Sequence, residues 1–244
     1  MKPSDPAVSI VLATHNGARF LGDQLRSILA QTHQNWHIIL SDDGSSDATL
    51  DIAREIIPEN QLSILKGPCQ GVALNFWNGL GHVPRGHFAA FCDQDDIWHP
   101  DKLERALRYL AQCNGPALYS AGRYVTDESL EILVTQRRRP AAGLLGTLLR
   151  NRVAGHTCVM SPDAVHLLNA FPPSKDVPFH DWWAALILRA KGAKFIHDPL
   201  PVLRYRQHGA NVIGARGGRL WTLLSGRYFG WVNANLRALW SYRR

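Results

Sequence analysis

Hydrophobic positions along the chain fall into short dense runs separated by stripes of helical spacing. Val8–Ala13 reads VSIVLA, a β-branched run long enough for a buried strand. Between Gly17 and about Gln31, Phe20, Leu21, Gln24-Leu25, Ile28 and Leu29 recur at i, i+4 and i+8, which predicts an amphipathic helix. Trp36–Leu40 predicts a second strand, and the SDDGSSD that follows supplies turn residues and helix caps. A helix is expected over about Ala48–Ile56, stopped by Pro58. Leu62–Leu65 predicts a strand, Val72–Leu80 a helix and His87–Cys92 a strand. Pro100 then opens a helix that runs to about Leu110.

Strands that alternate with helices imply βαβ units. The expected fold is therefore α/β, a Rossmann-like, mainly parallel central sheet flanked by helices. Ligands of such sheets bind beyond the carboxyl ends of the strands. Polar clusters stand at those ends: Thr14-His15-Asn16, Asp42-Asp43 and Asp93-Gln94-Asp95-Asp96. The second half is less regular. Ala117–Tyr124, Thr157–Met160, Phe195–His197 and Val202–Tyr205 read as strands, and Asp181–Ala190 as a helix. Arg137–Arg139 before Pro140 reads as an exposed loop. The simplest division is a body of 1–215 and a helical tail of 216–244.

Charge sharpens that division. The chain has 244 residues, 45% of them hydrophobic and 19% charged, as in a globular domain. Its formal charge is +7, from 27 Lys+Arg against 20 Asp+Glu. Residues 199–244 hold eight Arg, no Lys and no acid, so the body is close to neutral. No nucleic-acid partner is expected from such a body. The N-terminus has no signal-peptide pattern and no apolar run reaches membrane-spanning length. Cys69, Cys92, Cys113 and Cys158 form no CxxC pair, which suits reduced thiols in a cytoplasmic protein.

Three carboxylates within Asp93–Asp96 repel one another unless solvent or a cation relieves them. Hard oxygen ligands suit Mg²⁺ or Mn²⁺. Asp96 can instead serve a helix N-terminus. Asp42 and Asp43 can hydrogen-bond a base or ribose, or simply cap a turn. Asp181 opens a helical pattern, as a cap or as a working carboxylate. The first strand is followed by ATHNG rather than G-x-G-x-x-G, which excludes the usual dinucleotide-binding dehydrogenase turn.

VSIVLATHNGARFLGDQLRSILAQT, IILSDDGSSDAT and FAAFCDQDDIWHPDKL together resemble the family 2 glycosyltransferases, in order and spacing over residues 8–110. PFHDWWAALI and LRYRQHGANVIGA resemble the rhamnosyltransferase-like branch of that family. The resemblance implies a GT-A type fold, a nucleotide-sugar donor such as dTDP-rhamnose or a UDP-hexose, a divalent metal, and inversion at the anomeric carbon. By motif, Ala13, Thr14 and Asn16 match the nucleobase segment. Asp43 matches the base-binding acid, with Asp42 beside it. Asp93 and Asp95 match the D-x-D pair, with Asp95 first for metal. Asp181 matches the catalytic base, although His180 stands where the family carries an acid. Gly71 and Asn75 resemble a donor-pocket segment. The acceptor implied is a hydroxyl of a cell-surface glycan or a lipid-linked sugar. A catalytically inactive homologue acting as a binding module is the alternative.

Trp98, Trp182 and Trp183 are candidates for stacking on sugars. In RYRQHG, Arg206 and His208 can meet a donor diphosphate, with Arg204 beside them. The tail alternates Arg with Trp, Leu and Tyr, the pattern of an interfacial helix. It can equally pack on the body or on a second subunit. A cytoplasmic protein, peripheral on the inner face of the plasma membrane through 216–244, is one expectation.

Overall fold

The structure, a computed structural model, describes residues 5–137, 139, 143–209 and 227–242. The expected βαβ series forms. Strand β1 (Val8–Thr14) leads to helix α1 (Ala18–Leu29), β2 (Trp36–Asp42), α2 (Thr49–Ile56) and β3 (Leu62–Lys66). Helix α3 (Val72–Leu80) and β4 (Phe88–Cys92) follow, then the short β5 (Ile97–Trp98) and α4 (Lys102–Leu110). The second half contains β6 (Ala117–Thr126), β7 (Ile132–Gln136), α5 (Gly143–Leu149), β8 (Val159–Met160), α6 (Pro162–Asn169), α7 (His180–Ala190), β9 (Lys194–Arg206) and α8 (Arg227–Ser241).

The mainly parallel Rossmann-like sheet is the expectation that fails. The strand order is β3-β2-β1-β4-β8-β6-β9-β5, with β7 on β6, and the sheet is mixed and curled toward a half-barrel. β1, β2, β3 and β4 pair in parallel. The two-residue β8 then enters antiparallel to both β4 and β6. β6 and β9 are parallel, while β5 and β7 add antiparallel pairs. Parallel pairing needs a long crossover, and only the first half supplies helices in strict alternation with strands.

Alternate residues of β1 enter two apolar layers, which is what a strand buried on both faces requires. Ile10 and Leu12 meet Leu21, Leu25 and Ile28 of α1 and Leu103 of α4. Val11 meets Phe76 and Leu80 of α3, Val165 of α6 and Trp183 of α7. Ser161 caps α6 through the Ala164 N–H, with Pro162 opening the helix.

Two segments expected as separate strands, around Phe195–His197 and Val202–Tyr205, form the single β9. It continues through Pro199 and Pro201 because the β6 register shifts there. A Cβ at Gly122 would stand 2.8 Å from the Pro199 carbonyl oxygen, so the side-chain-free residue permits that approach. Beside the shift, the Asp198 carboxylate accepts from Tyr119 Oη at 2.9 Å and from the Arg105 guanidinium. Asp198 is 2% exposed. Asp198→Ala would leave Arg105 and Tyr119 without their shared acceptor and should lower unfolding free energy by about 3–5 kcal/mol. A urea midpoint equal to that of the unaltered chain would refute this.

Among the described residues, no helix is long and apolar enough to cross a membrane. Of the tail, residues 216–226 and 243–244 lie outside the described residues.

Candidate active site

The loops after β1, β2 and β4 are knitted into one surface. Thr14 Oγ1 donates to Asp42 Oδ1 at 2.8 Å, and Ser45 closes the same carboxylate through N–H and hydroxyl at 2.8 and 2.6 Å. Burial alone would raise the Asp42 pKa, but the Ser45 and Thr14 hydrogen bonds outweigh it and hold it below the ordinary carboxylate value. Asp42 therefore organises the turn. Asp43 is half-buried and accepts the backbone N–H of Cys69 at 2.6 Å and of Gly71 at 3.0 Å. Asn16, at a positive φ of 47°, receives the Ser46 N–H on its side-chain oxygen at 2.9 Å. Gln94 holds His15 through both main-chain groups, at 2.9 and 3.1 Å. Asn75 is buried and ties the Ser41 hydroxyl and carbonyl to α3. Ala13 is buried at the end of β1.

The carboxylates after β4 divide into two environments. Asp93, Asp96 and His156 bring one ligand atom each within 4.8 Å of one another. His156 Nδ1 lies 3.1 Å from Asp93 Oδ2 and 2.8 Å from Asp96 Oδ2. Arg123 Nη1 stands 2.7 Å from His156 Nε2. Arginine only donates, so Nε2 accepts and Nδ1 carries the proton toward the carboxylates. Burial would raise the Asp93 pKa, yet the hydrogen bond from His156, with the positive charge of Arg123 behind it, outweighs it and lowers it. Asp96 is fully buried, and neither of its oxygens accepts a well-formed hydrogen bond. Lys102, also fully buried, donates to the His156 carbonyl at 2.6 Å and lies over the Trp98 ring. Burial pushes the Lys102 ammonium down to about 7.

Asp95 points elsewhere. Its Oδ2 lies 2.7 Å from His208 Nε2, and burial pushes its carboxyl up to about 6. Arg206 is 5% exposed, reaches the Asp95 carbonyl at 3.2 Å, the Glu128 carbonyl at 2.8 Å and Asp23 at 3.0 Å, and lies over Phe20. It pins the end of β9 against the Asp95 loop. Arg204 is exposed. Hard carboxylate oxygens fit a divalent cation; Asp93 and Asp96, gathered with His156, and the separate Asp95 provide them.

Asp181 begins α7. Asn151 Nδ2 donates to its Oδ1 at 2.8 Å, and the Gly155 N–H to its Oδ2 at 3.0 Å. His156, the next residue in the chain, contacts Asp93. One turn at 155–157 thus carries both Asp181 and Asp93, which the sequence separates by 88 positions. A Cβ at Gly155 would run into His180 Nε2 and Asp181 Cβ. His180 is buried and stacks on Phe76 at 3.7 Å, and burial lowers its pKa. It packs where an acid would lack an apolar contact. The three candidate stacking rings are interior: Trp98, Trp182 and Trp183 are all buried. The Trp182 indole donates to Thr147 O at 2.6 Å and the Trp183 indole to Phe171 O at 2.9 Å.

Asn151, Gly155, His156 and Arg123 escape the sequence reading, and Gln94 and Lys102, although inside the quoted motif, receive no role from it. Each acts through a tertiary contact.

The family model for glycosyl transferase family 2 matches residues 9–164, more than half of the chain. The chain belongs to glycosyl transferase family 2 and is a nucleotide-sugar-using glycosyltransferase. It is 29% identical over 223 residues to the dTDP-rhamnosyl transferase RfbG of Shigella flexneri, covering 84% of this chain and 74% of that one. It is 26% identical over 205 residues to the UDP-Glc:α-D-GlcNAc-diphosphoundecaprenol β-1,3-glucosyltransferase WfaP of Escherichia coli, covering 84% and 79%. The fold is similar to the mannosyltransferase PcManGT of Pyrobaculum calidifontis, solved with GDP-Man and Mn²⁺, with a TM-score of 0.67 at 18% identity. That likeness covers 95% of this chain and 64% of the other.

Proposed function

We propose that the chain is an inverting, metal-dependent glycosyltransferase of GT-A type, in the rhamnosyltransferase-like branch of its family. It moves a sugar from a nucleoside-diphosphate donor to a hydroxyl of a lipid-linked or cell-envelope glycan precursor. The observation that carries this reading is the turn at 155–157, which couples Asp181 to the Asp93 cluster. The RfbG likeness favours dTDP-rhamnose as donor, and the WfaP likeness a UDP-hexose and a diphosphoundecaprenol-linked acceptor. Nucleotide sugars are made in the cytoplasm of the cell, so the protein works there, peripheral to the inner face of the plasma membrane.

In this reading Ala13, Thr14, Asn16 and Asp43 form the nucleobase end of the donor site, with Asp42 holding the turn. Asp95 and Asp93 would hold Mg²⁺ or Mn²⁺, and the ion when bound would stabilise charge on the leaving oxygen. His208 lies beside that charge, and Arg206 fixes the loop that carries Asp95. Asp181 accepts the proton of the acceptor hydroxyl as its oxygen attacks the anomeric carbon. The bond from that carbon to the diphosphate oxygen breaks in the same step, so the configuration inverts. Asn151 and the Gly155 N–H hold the carboxylate in place for that transfer.

Calorimetric titration with UDP, dTDP and GDP, each with and without Mn²⁺, tests the reading. One nucleotide should bind at least about tenfold tighter with the metal. Binding of none, or binding indifferent to Mn²⁺, would refute the metal-dependent donor site.

A further inference from the structure

Helix α8 has two apolar faces: one packs inside the protein, and the other carries exposed side chains. Trp231, Ala238 and Tyr242 face inward at helical spacing. Trp231 packs edge-on to Phe179 at 4.9 Å, Ala238 joins the core beside α7, and Tyr242 donates to the Pro172 carbonyl at 2.6 Å. On the other side, Phe229 and Leu236, seven residues apart, are 67% and 45% exposed. The adjoining helix α5 repeats the pattern. It packs against α8, and its Leu145 and Leu149, one turn apart, are 69% and 48% exposed. Single exposed leucines are ordinary, but two neighbouring helices that both turn apolar stripes outward are not.

The charge carried by the two helices and the loop after α5 has one sign: residues 143–152 and 227–242 contain four Arg and no acid. Arg150, Arg152 and Arg237 are exposed beside the stripes. A second copy of this chain fits such a face poorly, because a two-fold contact would set arginine against arginine. A bilayer with anionic headgroups supplies both requirements, acyl chains for the leucines and aromatics and negative charge for the arginines.

We infer that α5 and α8 together form a face that docks onto an anionic lipid surface and presents the acceptor side of the site to it. The link to the site is short. The Trp182 indole is bonded to Thr147 of α5, and Tyr228 of α8 stacks on Trp182 at 6.3 Å. Asn151, two residues beyond α5, holds Asp181. The sugar of a lipid-linked acceptor, standing just above the headgroups, then lies beside the carboxylate that takes its proton. The acceptor part of this inference rests on the proposed transferase reading, whereas the docking face itself does not.

The test is co-sedimentation of the full chain with vesicles of phosphatidylcholine mixed with phosphatidylglycerol, against vesicles of phosphatidylcholine alone. The chain should bind the anionic vesicles, and bind the neutral ones at least about tenfold more weakly. Leu145→Glu with Leu149→Glu, and separately Phe229→Glu with Leu236→Glu, should each weaken binding about tenfold or more. Circular dichroism and melting temperature near those of the unaltered chain establish that the variants fold. Acceptor-independent hydrolysis of the donor should not change in either variant. No binding to anionic vesicles, or equal binding by folded variants, would overturn the docking face. A dimer seen by light scattering and lost in the same variants would reassign it to a second copy. Vesicle binding uses neither donor nor metal, so its failure and failure of the donor titration are separate results.

Discussion

Asp181→Asn is expected to lower sugar transfer by about 10²–10⁴-fold while leaving nucleotide affinity within about twofold of the unaltered chain. The substitution keeps size and shape and removes the proton-accepting charge. Asp181 lies outside the loops after β1, β2 and β4 that form the proposed donor site, so binding of UDP or dTDP with Mn²⁺ should not feel it. The surroundings of the carboxylate make the two readouts separable. Asn151 Nδ2, the Gly155 N–H and the Trp182 N–H all donate to it, at 2.8, 3.0 and 2.6 Å. A purely structural carboxylate in the first turn of α7 would predict the opposite result. Its loss would cost about 1–3 kcal/mol of stability and leave the rate per folded molecule unchanged. Transfer measured with a saturating donor, corrected for folded fraction, decides between them. Wild-type turnover in the folded variant would remove Asp181 from the chemistry.

What could be read from sequence, and what could not, follows from how each feature is encoded. Strands β1 to β4 and the helices between them are written as dense apolar runs and 3.6-residue stripes, and each formed close to its expected place. The gathering of Thr14, Asp42 and Asp93 at strand ends was legible for the same reason, because parallel pairing puts those ends on one edge. The second half carries weaker signals. β8 is two residues long and sits between β4 and β6, so no pattern announces the switch to antiparallel pairing. β9 passes two prolines, which local rules read as a break. α5 is a run of Gly, Leu and Thr with outward leucines, so its apolar spacing points toward no core. His156 stands in no motif of the sequence. Its place between Arg123 and two carboxylates is a product of the 155–157 turn, which only the fold creates. Trp182 and Trp183 show the reverse error: aromatic residues beside a candidate base suggest sugar stacking, yet both indoles serve the core.

The second large effect is expected at Asp95. Asp95→Asn should abolish the Mn²⁺-dependent gain in nucleotide binding, a loss of at least about tenfold, while metal-free nucleotide binding and the melting temperature change little. The three neighbouring acids are not equivalent, and their surroundings say why. Asp96 is fully buried beside Lys102, so its charge belongs to the interior. Asp93 is already served by the His156 proton, which lowers its pKa. Asp95 has the opposite balance: burial and the charges of Asp96 and Asp93 push its carboxyl up to about 6 in spite of the His208 contact. A bound divalent cation would favour its charged form. Asp96→Asn provides the contrast, since it removes a charge of the same sign one residue away. It should change stability through Lys102 and leave most of the Mn²⁺ effect on nucleotide binding in place. If instead Asp96→Asn erases the Mn²⁺ effect and Asp95→Asn spares it, the cation belongs to the Asp93, Asp96 and His156 cluster, and His156 must then surrender the Nδ1 proton that Arg123 now keeps there.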